Sequence, residues 1–373
     1  MTQGSPRGLC RARIKIERRA SRLDWPAQGW RRILSGCAAL AVLIPSSAQA
    51  HVKWFAPYDV AANPTPLPDV FSPSFLLLLA GSTVLIMLIG LGDRVIAGAF
   101  GDDPLKERVA ALKPRLPDVI RIMLGAFLLC LWLKGGIILT PELTTTSESI
   151  SWFQLFLAMS TASWRTSWIA GLGIVVLYAI AVANYGLFHL LDYPLFLGIA
   201  AYLIIHSLRV ERLLPYALSI LYVSMAVTLL WASIEKWAFA SWTLPLLRQH
   251  ERITLGIEHG LYMQLAGFVE FVTAFLLLYG KTSQRLAALT LFVIFIAAIV
   301  DFGKIDAVGH SMIIASLAVM VIHGNTRVNV ALLNRIPSPT VSALELGMTY
   351  LGFVLLFFTF YYVAHGIFYG SLN

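Results

Sequence analysis

The sequence predicts an all-α, polytopic membrane protein of about ten transmembrane helices, and three observations carry that expectation. The 373 residues are 58% hydrophobic and 13% charged, with a mean hydropathy of +0.75, a balance suited to lipid rather than water. The apolar residues run continuously instead of alternating, which selects helices over a β-barrel. Every second connection between the runs carries basic residues, as the positive-inside rule requires of a multi-pass chain. Of the others, two have no Lys or Arg, one has Lys304 alone and the 235–259 loop has Lys236, Arg248 and Arg252.

The first apolar run, Ile33 to Ile44, is too short to span a bilayer. It follows Arg31 and Arg32 and ends in Ser-Ser-Ala-Gln-Ala, so residues 1–50 read as a signal peptide cut after Ala50, leaving His51 as the first mature residue. Residues 1–32 hold nine of the 28 Lys+Arg but only Glu17 and Asp24 among the 20 acids. The remainder is 19 bases (28 − 9) against 18 acids (20 − 2), so the +8 charge belongs to the signal and nucleic acid is excluded as a partner. Signal removal also takes Cys10 and Cys37. Cys130 alone remains, which rules out an intrachain disulfide and a multi-thiolate metal site.

Residues 51–118 comprise a periplasmic strap, a first span and a cytoplasmic loop; five prolines between Pro57 and Pro73 make the strap extended. Helices are expected near 75–92, 119–139, 150–163, 168–188, 193–208, 213–234, 260–280, 286–300, 307–322 and 345–365. With His51 outside, the inside connections carry Arg94, Lys106, Arg108, Lys113 and Arg115, then Arg165, then Arg209 and Arg212, then Lys281 and Arg285, then Arg327 and Arg335. The expected location is therefore a bacterial-type inner membrane with both mature termini periplasmic. No extramembrane segment is long enough to fold as a soluble domain.

Residues 119–212 and 213–335 read as two four-helix units in tandem, followed by a last span within 336–373. Leu131-Trp132 matches Leu230-Trp231, each pair followed by a lysine, Lys134 or Lys236, and the units close alike, with His206 and Arg209 against His323 and Arg327. Four helices per unit make the repeats parallel. The opening "RIMLGAFLLCLWLKGG", with Arg121, Gly125 and Lys134, and the acidic "AGFVEFVTAFLLLYG", with Glu270, resemble the DoxX/DoxD family of four-helix membrane proteins. DoxD is similar to the membrane subunit of a thiosulfate:quinone oxidoreductase. The resemblance thus implies a quinone-linked redox system and a redox partner subunit, although the first unit has no acid where the second has Glu270.

Glu270 sits at the middle of its span, where a carboxylate is costly and must face protein or a wet cavity. Its neighbours Ala266, Gly267, Thr273 and Ala274 are small, which suits close helix packing. Proton relay, quinone hydrogen bonding, ion binding and a structural hydrogen bond all remain open for it. The candidates for chemistry are Glu270, Lys236, Asp301 and Lys304, although lysines at outer helix ends also read as snorkelling or surface pairing. The outer connections hold six of the eight histidines. A free amino-terminal histidine offers amine and imidazole together, so His51 with His189, His259 or His310 is the candidate copper site. Copper and quinone are the cofactor chemistries left open. No Walker, dinucleotide, nucleophile-elbow, haem or zinc motif occurs. A redox component, a transporter or metal-handling protein, and a non-catalytic assembly subunit are the function classes that remain.

Overall fold

The computed structural model describes residues 52–100, 106–333 and 339–370; residues 1–50, expected to be a signal peptide, His51 and Arg335 lie outside them. Among the described residues the fold is helical, with one isolated bridge, Ile137 to Thr144, and no strand. We number the main helices α1 Pro73–Phe100, α2 Leu116–Lys134, α3 Glu148–Ser160, α4 Ser167–Tyr185, α5 Pro194–Ser207, α6 Ala217–Ala238, α7 Ala240–Gln249, α8 His259–Tyr279, α9 Ser283–His323, α10 Arg327–Leu333 and α11 Pro339–Tyr369. Seven helices are long and apolar enough to cross a membrane, which makes this an all-α, multi-pass membrane protein by length and composition.

One of those seven is folded back on itself. A straight helix from Arg285 to Val321 would separate the two by about 54 Å at 1.5 Å per residue, yet the Arg285 guanidinium donates to the carbonyls of Val321, Ile322 (2.9 Å) and His323 (3.4 Å). The chain reverses at Gly303, whose φ of 75° and ψ of −151° lie where side chains are poorly tolerated. α9 is therefore two arms, as the separate runs 286–300 and 307–322 predict. The expected helix 119–139 stops instead at Lys134, because Gly135 and Gly136 both take positive φ. The buried turn that follows is held by Gln154, whose amide donates to the carbonyls of Ile137 (2.6 Å) and Ile138 (2.9 Å).

Neighbouring helices pack side by side from α2 through α3, α4, α5, α6 and α8 to α9, and α9 packs back against α2 to close a ring. α1 and α11 pair with each other and lie against α8 and α6. α6 is the most enclosed of the long helices. Side chains on the opposite face of α1 and α11, such as Leu77, Val84, Leu355 and Ile367, are exposed, as a lipid-facing surface demands.

Polar residues fasten the two ends of the bundle. At one end Asp93 accepts from the backbone N–H of Lys281 (2.8 Å) and Ser283 (2.7 Å), capping the start of α9. At the other end the strap returns over the helices: Thr65 donates to Ala238 (2.8 Å), Tyr362 donates to the carbonyl of Thr65 (2.6 Å), and His365 Nε2 lies 3.0 Å from the carbonyl of Val60. Glu258 caps α8 there, accepting from Gly260 and Leu261 at 2.8 Å. Those two N–H groups hold its carboxyl below the usual range.

Candidate functional site

The strap carries a lysine into the protein. Val52–Trp54 form one 3-10 turn, and the Lys53 side chain is 1% exposed. Its ammonium donates to Asp192 Oδ2 and lies 2.7 Å from Glu235 Oε1. Asp192 sits in the turn before Pro194, which opens α5, and Glu235 is on the last turn of α6. Burial alone would lower the lysine's pKa; the Asp192 and Glu235 carboxylates outweigh it and hold the ammonium above its ordinary range.

Glu142, in the turn after α2, enters the same end of the bundle. It accepts from the Tyr193 hydroxyl, and its Oε1 lies 3.7 Å from His189 Nε2. Rings enclose the group: Tyr58 is 5.6 Å from His189 and 5.8 Å from Trp242, and the Lys53 ammonium is 5.6 Å from the Trp242 centroid. Burial, then Glu142, pushes the Tyr58 phenol up, with Lys53 opposing, so it stays neutral. The Tyr361 hydroxyl approaches Glu235 Oε1 at 3.4 Å. Two buried carboxylates, Asp192 and Glu235, thus share one buried ammonium, while a third, Glu142, pairs with Tyr193 and His189.

The structure brings together two of the four predicted chemical residues. Lys236 donates to Glu270, a pair with side chains 19% and 13% exposed. As the small neighbours of Glu270 suggest, a Cβ on Gly267 would run into the Trp237 indole, so helices α6 and α8 touch there. Asp301 and Lys304 are exposed on either side of the Gly303 turn and stand apart from that pair. Glu235 and Lys236, adjacent in sequence, go to different partners. Neither snorkels.

Of the predicted copper set, His51 lies outside the described residues, and the three histidines offered as its second ligand have separate neighbours. His189 lies beside Glu142, His259 opens α8, and His310 Nδ1 is 3.0 Å from Asp306 Oδ1, with the Trp54 ring 4.5 Å away. Among the described residues no three His, Cys, Asp or Glu come together in a way that could hold a metal ion. Trp54 and Phe55 pack on His310 and Phe302. A Cβ on Gly309 would collide with the Trp54 indole, so that glycine is the seat of the ring.

Sequence reasoning missed Lys53. Its one signal is a lone base between apolar and aromatic residues, His-Val-Lys-Trp-Phe. Compared with known proteins, the chain matches no family model, no curated protein and no solved structure.

Proposed function

We propose that this is a cation- or proton-handling membrane protein whose site is the acid-rich cluster at the strap end, the transporter class among those the sequence leaves open. The observation that carries the reading is the density of acid: one ammonium between two buried carboxylates, with a third, Glu142, beside His189. A low-dielectric site does not hold uncompensated negative charge, so protons, on His189 or on the acids, or a cation complete it. In liposomes the wild-type chain is expected to dissipate an imposed proton or monovalent-cation gradient, and Glu142→Gln to lose that flux with its helix content unchanged. Wild-type vesicles no leakier than empty ones would sink the reading.

We also propose ten crossings in two parallel four-helix units, with the strap end periplasmic. In support, the end of α5 is tied to the start of α4 by Ser207, which donates to the Trp164 carbonyl and accepts from Trp168 N–H (3.1 Å), much as Arg285 ties the two arms of α9. His206 and His323, matched in sequence, contact Tyr202 and Tyr222 at 4.4 and 6.4 Å between rings. A reporter fused after Asn373 should be active outside the cytoplasm; activity inside would refute the orientation.

A quinone-linked role as a DoxX-like subunit is the second reading, favoured by the partial exposure of Lys236 and Glu270 within spanning helices. A lipid-soluble quinone receiving two electrons from the redox partner subunit would accept a hydrogen bond from the lysine and one of its two protons from the acid. In intact membranes Glu270→Gln would then cut quinone reduction by about 10²-fold or more, the usual worth of a proton-transfer group. An unchanged rate would remove this reading.

A further inference from the structure

The walls of the strap-end pocket belong to the helical bundle, apart from the Tyr58 ring, but its cation does not. Asp192 precedes α5, Glu235 closes α6 and Trp242 lies on α7, whereas Lys53 arrives on the strap ahead of α1. Beyond Lys53 the strap is also hydrogen-bonded to the bundle at Val60 and Thr65, and Tyr58 is held by ring contacts with His189 and Trp242. Withdrawing Lys53 requires Trp54 and Phe55 to leave His310 and Phe302, but it unwinds no bundle helix and can leave Tyr58 in place.

The pocket has the chemistry of an ammonium receptor. Asp192 is 1% exposed, with Oδ2 on the lysine nitrogen and Oδ1 lacking any hydrogen-bond partner among the described residues. Glu235 Oε1 supplies a second acceptor at 2.7 Å, and the rings of Trp242 and Tyr58 stand 5.6 and 5.8 Å from the charge. An alkylammonium carries three N–H donors and no acceptor, so two carboxylates and two π faces satisfy it. A quaternary ammonium has no N–H to give these acceptors. A metal ion lacks its ligand set, as no group of three suitable side chains occurs among the described residues.

We propose that this pocket binds primary alkylammonium ions from solution and that Lys53 is a tethered occupant competing with them. The inference rests on the cluster being a cation site, and it concerns binding and not flux. The test uses the full chain in nanodiscs, with ethylammonium as probe and tetramethylammonium at equal ionic strength as control. Ethylammonium should raise the melting temperature of Lys53→Ala saturably, and tetramethylammonium should not. In the wild type the midpoint should move to at least about tenfold higher ethylammonium, because the tether presents its own amine at high effective concentration. Adding Asp192→Asn and Glu235→Gln to Lys53→Ala should abolish the effect.

Absence of saturation in Lys53→Ala, equal action of tetramethylammonium, or persistence of the effect in the triple variant would each overturn the proposal. If Lys53→Ala does not fold, hydrogen exchange on the wild type decides. Ethylammonium should speed exchange at residues 53–56 while leaving α6 protected, and unchanged exchange at saturating amine would overturn the proposal. A chain that binds ethylammonium but carries no flux would refute the transport reading alone.

Discussion

Replacing Lys53 by Met is expected to lower the stability of the bundle by about 3–5 kcal/mol, the cost of leaving buried charges without their partner. Asp192 and Glu235 are both enclosed and both face this one ammonium, so neither can turn to water when it goes. The check is reversible unfolding in mixed micelles, read by helix content. Adding Asp192→Asn and Glu235→Gln should recover most of the loss, because the charges that suffered are then absent. A loss below about 1 kcal/mol would mean that the pair behaves as an exposed one.

The pH dependence has a definite sign. The lysine's pKa is raised in the folded protein, since the two carboxylates outweigh burial. Its contribution is therefore complete below the unfolded value of about 10.4 and is withdrawn as pH climbs through the folded value. Wild type should lose stability on the alkaline side in a way that Lys53→Met does not. Parallel alkaline curves for the two proteins would refute this.

The second large effect is expected at Arg285. Its guanidinium reaches three carbonyls at the end of the returning arm of α9. Those are the terminal acceptors of a helix, and they have no intrahelical donor of their own. Arg285→Met should cost at least about 1.5–3 kcal/mol, the range for a hydrogen bond to a charged group, and should raise hydrogen exchange near His323. Arg285→Lys should restore less than half of this, because an ammonium lacks the planar fork that spans neighbouring carbonyls. Full rescue by lysine would show that charge alone matters there.

Helices were legible in this sequence wherever lipid dictates them. Each predicted run holds a helix because an apolar run in a bilayer has one way to satisfy its backbone. The reversal within α9 was legible too, since Asp-Phe-Gly-Lys-Ile-Asp interrupts the run with charge and a glycine. Glu270 stood out against its apolar span, and its partner Lys236 lies 34 residues earlier on the packed face of α6. The strap site was not legible, because Lys53 meets Asp192 across 139 residues and no periodicity records such a contact. Histidines on one face suggested a shared ligand, yet each found a separate neighbour: Glu142 for His189, Asp306 for His310. Residue type gave the chemistry available, and topology decided who met whom.

The contacts of His365 with Val60 and of Tyr362 with Thr65 fix a parity. The segment that enters α1 and the tail of α11 lie at one end of the bundle, so the chain between them traverses it an even number of times. The hairpin at Gly303 contributes two traverses and therefore leaves parity untouched, whereas counting α9 as a single rod would place the tail at the end opposite the strap. On the proposed ten crossings, any variant that loses one, by deletion or by failed insertion of a short helix such as α3 or α5, puts His365 at the end opposite Val60. The strap then has no anchor to return to, so a single missed insertion far along the chain would unseat Lys53 at its start.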